Sequence, residues 1–96
     1  MDFEWDEAKN EANKLKHGIG FERAIAIFDG RVRTIVDTRF DYGETRQISF
    51  GMVDVALILA VVHTDRHGRV RIISARRASA KERLFYEGPL PTRTDQ

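Results

Sequence analysis

Cysteine is absent from the 96-residue chain, which excludes disulfides, thiolate nucleophiles and cysteine-based zinc sites together and is compatible with a reducing compartment. Only two prolines, with 42% hydrophobic and 32% charged residues, exclude disorder along the whole length. The apolar stretch Met52 to Val62 is too short to span a bilayer and is broken by Asp54. The opening Met1-Asp2-Phe3-Glu4-Trp5-Asp6 is acidic and lacks the apolar core of a signal peptide. A cytoplasmic protein without membrane association is therefore expected. There is no phosphate-cradling glycine loop, no G-x-S-x-G and no H-E-x-x-H. His63 and His67 bracket Asp65, yet they flank a strand end and a turn, where positions i and i+4 do not stack, so neither metal nor cofactor is expected.

What the chain has is charge in an uneven order. Sixteen Lys and Arg against fifteen Asp and Glu leave a formal charge of +1, which as an average argues against a nucleic-acid binder. Residues 1–48 hold ten acids and eight bases, whereas residues 49–96 hold five acids and eight bases. Between His63 and Arg83, seven bases face only Asp65 and Glu82. Steering of a polyanion depends on charges within a Debye length of roughly 8–10 Å, so a local field counts more than the average. The plainer reading is a solvated face.

Hydrophobic periodicity divides the chain in two. Asp6 is placed to cap a helix over Glu7 to His17, which Gly18 stops and whose last turn carries Lys14, Lys16 and His17. A second helix is expected over Phe21 to Phe28, with Trp5, Leu15, Phe21, Ile25 and Phe28 directed to a common core. Strands are expected over Val32 to Thr38, Thr45 to Gly51, Val55 to Val62 and Arg69 to Arg77, the third buried on both faces. Ser79-Ala80-Lys81-Glu82 reads as a capping box opening a last helix to about Glu87. Short connections cannot make parallel crossovers. The expected fold is α+β: two N-terminal helices, a four-stranded antiparallel sheet and a C-terminal helix, in one domain over 1–88 with a flexible tail over 89–96.

Strand alternation puts Arg69, Arg71 and Arg77 on one face and Arg76 on the other, with Arg66 close by at the end of the preceding strand. Converging guanidinium groups suit a phosphodiester, because each donates two parallel hydrogen bonds and stays charged at every relevant pH. The alternative is structural pairing with Glu82, Glu44 or Asp37, although the local acids are too few to pair the whole set. Metal-free cleavage of RNA needs a base for the ribose 2′-OH, an acid for the leaving 5′-oxygen and cations for the phosphorane. His17, Glu44, His63 and His67 are the candidate acid/base groups. Each also has a plain role: helix end for His17, turn for His67, buried strand residue for His63.

Phe3-Glu4-Trp5-Asp6, Lys9, Asn13, Lys16-His17-Gly18, Phe21-Glu22 and Ala24, followed by Arg71-Ile72-Ile73-Ser74-Ala75-Arg76, Ala78, Glu82-Arg83 and Tyr86-Glu87, resemble the two signatures of the BrnT toxin family of type II toxin–antitoxin systems. The resemblance implies a RelE-like ribonuclease fold, metal-independent RNA cleavage that arrests translation, and neutralisation by a BrnA-like ribbon-helix-helix antitoxin in a 2:2 heterotetramer that meets DNA only through the antitoxin. It implies catalytic roles for Arg66 and Arg76 at the scissile phosphate, with Glu44 or His17 as general base, and substrate binding by Lys16, Arg46 and Arg83. Arg71 joins the binding set by its place in the strand. Gly20 stands where the family usually has a Ser N-cap, and Asp54 where it has a turn glycine. A non-catalytic module docking an acidic protein is the competing reading. A DNA-binding repressor fits poorly, because no helix-turn-helix carries a basic recognition helix.

Overall fold

The computed structural model describes residues 1–39 and 41–88; the expected tail over 89–96 lies outside them. Helix α1 spans Glu7–His17 and starts where expected, the Asp6 carboxylate accepting from the Ala8 and Lys9 amides. It ends at Gly18, whose φ of 71° allows its N–H to reach the Lys14 carbonyl at 2.8 Å. The second helix is shorter than its periodicity suggests. An α-helical turn, α2 (Phe21–Ala24), tightens into a 3₁₀ turn over Ile25–Asp29. Gly20 offers no side-chain cap. Instead Asn10 reaches across from α1, and its Oδ1 accepts from the Phe21 amide at 2.8 Å.

Five strands, not four, form the sheet: β1 (Phe3–Trp5), β2 (Val32–Val36), β3 (Gln47–Met52), β4 (Ile58–Arg66) and β5 (Arg69–Arg77), in the order β1-β5-β4-β3-β2. The last four form the expected antiparallel meander. The added strand β1 pairs parallel with β5, Phe3 opposite Val70 and Trp5 opposite Ile72, so the sheet is mixed. Three residues are too few to show a period of two, and the pairing partner lies more than sixty residues away along the chain.

Each face of the sheet carries its own apolar cluster. One packs Phe21, Ala24 and Ile27 against Leu59, Val61, Ile72 and Ala75. The other gathers Ile48, Phe50, Ala60 and Val62 beneath Tyr86 of α3 (Ala80–Glu87), so β4 is buried on both sides as its composition requires. Leu15 does not join the core; it is 90% exposed. The inward residues of α1 are Asn10 and Asn13, and the reason is a sheet edge. β1 covers β5 only as far as Ile72, so farther along the strand Asn13 takes the place of a pairing strand. Its Oδ1 accepts from the Ala75 amide at 3.2 Å and its Nδ2 donates to the Ala75 carbonyl at 2.7 Å. A leucine there would leave two buried backbone groups without partners.

A bulge on β5 changes which way its arginines point. Val62 pairs with Ser74 but His63 pairs with Ile72, leaving Ile73 as the extra residue. Ile72 and Ala75 therefore share the α1–α2 face, while Ile73 and Ala78 pack on the α3 side. The simple alternation expected for this strand is thereby overturned beyond Ile73. Arg76 turns to the α3 face and meets Glu82 of α3, and Arg77 goes to the opposite face.

Candidate active site on the open sheet face

Helix α3 covers the apolar half of its face, where β4 begins. Its start is set by the capping box: Ser79 Oγ accepts from the Glu82 amide at 3.2 Å, and Glu82 Oε1 accepts from the Ser79 amide at 2.8 Å. The uncovered half, where β4 ends and β3 begins, is polar. There the chain entering β3 brings Glu44 between two arginines. Arg46 Nε donates to Glu44 Oε2 at 3.1 Å, and Arg66 Nη2, from the end of β4, reaches Glu44 Oε1 at 3.4 Å. Hydrogen bonds from Arg46 and then Arg66 hold the Glu44 carboxyl below the usual glutamate range. Glu44 keeps 30% of its side chain exposed and Arg66 44%, so a ligand has access to both.

The loop that carries Glu44 is anchored by a buried carboxylate. Asp37 has no exposed side-chain surface and accepts from Arg39 Nε at 2.8 Å and Nη2 at 2.9 Å. Those bonds hold its carboxyl far below the ordinary aspartate range. Tyr42 donates its hydroxyl to Asp37 at 3.1 Å, and the Arg46 guanidinium lies 3.9 Å from the Tyr42 ring centre. A chain of contacts thus runs from Asp37 through Tyr42 and Arg46 to Glu44. Arg39 and Tyr42 escape a reading by strand and helix pattern because they fall in a loop. The Asp37-x-Arg39 spacing is the one local hint of their pairing.

Arg71 lies beside this centre, whereas Arg76, on the same face, stands opposite Ala60 in the half covered by α3, so Arg66 and Arg76 are not brought together. Arg71 stands opposite Thr64, two residues before Arg66, and donates to Glu4 of β1 at 2.9 Å. Arg76 makes a bidentate pair with Glu82 at 2.7 and 2.9 Å. That pair pushes the Glu82 carboxyl down to about 2 and leaves 31% of the Arg76 side chain exposed. The supply of acids is larger than the neighbouring sequence suggests, because Glu4 arrives from β1 and Glu44 from the loop before β3. The remaining candidates stand apart. Among the described residues, no hydrogen bond or ion pair joins Lys16, His17 or Arg83 to Glu44, Arg66 or Arg76. Lys16 and His17 lie in the last turn of α1, and Arg83 is exposed on α3. His63 is buried on the α1–α2 side, with Nε2 2.7 Å from Ser49 Oγ, and burial lowers its pKa. His67 occupies a left-handed turn position with φ 53°.

This α+β domain sets Arg46 and Arg66 about a partly exposed Glu44, with Arg71 beside them, an arrangement whose chemistry suits a phosphate ester next to a proton acceptor. Its family is defined by sequence. Residues 5–82 match the family described as "Ribonuclease toxin, BrnT, of type II toxin-antitoxin system", and the chain belongs to that family. It is accordingly a ribonuclease toxin, with RNA as substrate and an antitoxin as partner. Among solved structures it is similar to the Brucella abortus ribonuclease toxin BrnT, with a TM-score of 0.61 and 28% identity over 82% of this chain and 97% of that one. No curated protein matches the chain. No described helix is long and apolar enough to cross a membrane.

Proposed function

We propose that this toxin is a metal-independent endoribonuclease in which Glu44 is the general base. The placement of Glu44 between Arg46 and Arg66 carries the reading. A phosphate entering here draws the two guanidinium groups toward its non-bridging oxygens and frees the carboxylate. Glu44 then takes the proton of the adjacent ribose 2′-OH, and the 2′-oxygen attacks phosphorus. The 5′-oxygen leaves with a proton drawn from solvent, giving a 2′,3′-cyclic phosphate and a 5′-OH end. Arg66 and Arg46 neutralise charge that grows on the phosphorane, while Arg71 and Arg76 hold the flanking backbone. Before substrate enters, the Arg46 and Arg66 hydrogen bonds keep Glu44 fully ionised at neutral pH. Lys16, His17 and Arg83 are outlying contacts for a longer RNA in this scheme. The biological consequence is arrest of translation in the cytoplasm, relieved by a ribbon-helix-helix antitoxin in a 2:2 complex. One domain, residues 1–88, suffices for the activity.

Glu44→Gln is expected to lower the cleavage rate of a labelled RNA by about 10²- to 10⁴-fold with an unchanged melting temperature, and Arg66→Ala to lower it comparably. Cleavage is expected to persist in excess EDTA. Full activity in Glu44→Gln would remove Glu44 from the mechanism, and EDTA inhibition reversed by Mg²⁺ would overturn the metal-free step. Intact RNA, together with tight binding to an acidic protein, would make the arginine face a docking surface instead.

A further inference from the structure

The far edge of the sheet is built to accept another strand. β2 is the terminal strand beside β3, and no described strand pairs with its other side. The Asp37 amide donates to the Arg46 carbonyl at 2.8 Å, and Val36 stands opposite Gln47. In an antiparallel ladder hydrogen-bonded pairs alternate, so Ile35 and Arg33 exchange their bonds with β3, while the N–H and C=O groups of Val32, Thr34 and Val36 point away from it. Natural edges are usually blunted by charged residues, proline or a bulge; the one charge in β2, Arg33, lies back over Phe85. β2 reads Val32-Arg33-Thr34-Ile35-Val36, and its pairing with β3 is regular throughout. Ile35 is 41% exposed and Val36 57%.

Beside this edge runs a groove of about 230 Å³ lined by Ile35, Phe50, Lys81, Glu82 and Phe85. Its uncompensated charge is positive. Arg33 stacks over Phe85 at 4.1 Å and Arg31 over Tyr86 at 4.7 Å. Among the described residues no acid pairs with Arg31, Arg33 or Lys81, whereas the carboxylate of Glu82 is already held by Arg76 and Ser79.

We propose that an extended, acidic and apolar segment of the antitoxin adds to β2 as a sixth strand. Main-chain bonds to Val32, Thr34 and Val36 set its register, apolar side chains enter the Ile35–Phe50–Phe85 groove, and carboxylates meet Arg31, Arg33 and Lys81. The groove shares Glu82 with the Arg76 pair but is not lined by Glu44, Arg46 or Arg66. The proposal rests on the toxin reading only in naming the antitoxin as the occupant. The charge argues against a second copy of this chain there, since pairing β2 with β2 would bring the unpaired cations of both copies together.

The test uses the full-length toxin with the antitoxin co-encoded with it. Amide hydrogen exchange of the complex is expected to slow at least tenfold at Val32, Thr34 and Val36. Val36→Pro and Val36→Asp remove an outward donor and add a repelling charge at an exposed position. Both are expected to leave RNA cleavage by the free toxin intact and to weaken antitoxin binding at least tenfold. Unchanged exchange at these amides, or wild-type neutralisation of both variants, would overturn the proposal. So would concentration-dependent dimerisation of the free toxin that protects the same amides. A free toxin that leaves RNA intact while its β2 amides are still protected in the complex would fail the nuclease reading and keep this one.

Discussion

Two residues show how much a single buried polar group decides here. Asn13 bonds both backbone groups of Ala75 and the Ile19 carbonyl at once, tying α1 to the edge of β5. His63 is the acid/base candidate that the fold withdraws from the site. It is 7% exposed, packed edge-on by Phe28 at 5.3 Å, and bonded to Ser49, which also meets Thr34. Burial favours the neutral imidazole, so its pKa in the folded protein lies below the reference 6.5. The unfolded chain then binds more protons than the native one between the two values, and stability is full above about pH 6.5 and declines as the pH falls through that window. Unfolding midpoints in urea measured from pH 7.5 to 5 are expected to fall on acidification. His63→Gln, which keeps a partner for Ser49, is expected to flatten that fall. An equal slope in both proteins would assign it to other groups.

At the scale of elements, close packing between the 3₁₀ turn and the sheet depends on Gly51. A Cβ built there would lie 2.7 Å from Ile27 Cβ and 3.1 Å from Val32 Cγ1, and Ile27 is fully buried with no room to retreat. Gly51→Ala is expected to destabilise the fold by about 1–3 kcal/mol, read as a lower midpoint in chemical denaturation. Little change would mean that the 3₁₀ turn shifts readily. The β3–β4 hairpin shows how Asp54 serves in place of a turn glycine. It forms an ion pair with Arg23 of α2, and the Val53 amide donates to the Leu57 carbonyl at 3.0 Å. The four meander strands and the capped helices α1 and α3 were legible from period and caps, although the strand expected over Val55 to Val62 lies at Ile58–Arg66, because the apolar run begins in an exposed turn. β1 was not, because a three-residue strand is specified by its neighbour rather than by itself. The bulge at Ile73 was equally hidden, since it arises from pairing between β4 and β5 and leaves no mark in the alternation of either.

For the whole molecule, the near-neutral charge now has a spatial meaning. Glu4, Glu44 and Glu82 pair with Arg71, Arg66 and Arg76 on the α3 face of the sheet and offset their charge. In the proposed scheme RNA binding exchanges these carboxylate partners for phosphates, and the salt dependence reports the few phosphates contacted. With about three to five backbone contacts on a single strand, the logarithm of affinity should fall with log salt at a slope of roughly −2 to −3.5. Titrating the Glu44→Gln variant with a labelled oligonucleotide from about 50 to 300 mM salt measures it. A slope near zero would deny the arginine face a role in binding.

The sequence by itself determined what local physics controls: the caps at Asp6 and Ser79, the left-handed stop at Gly18, the meander of four strands and the concentration of arginines after His63. These follow from side-chain periodicity and from hydrogen bonds between residues a few positions apart. The family resemblance was legible in short motifs near both ends, and the family match spans residues 5–82. Only the tertiary structure decided which groups share a site. Glu44 meets Arg66 across 22 positions and Arg71 meets Glu4 across 67, distances over which no spacing rule operates. An extra residue at Ile73 then set which face Arg76 and Arg77 take. Strand order, register and one bulge carry that information, because each fixes the direction of a side chain relative to a neighbour that is remote along the chain.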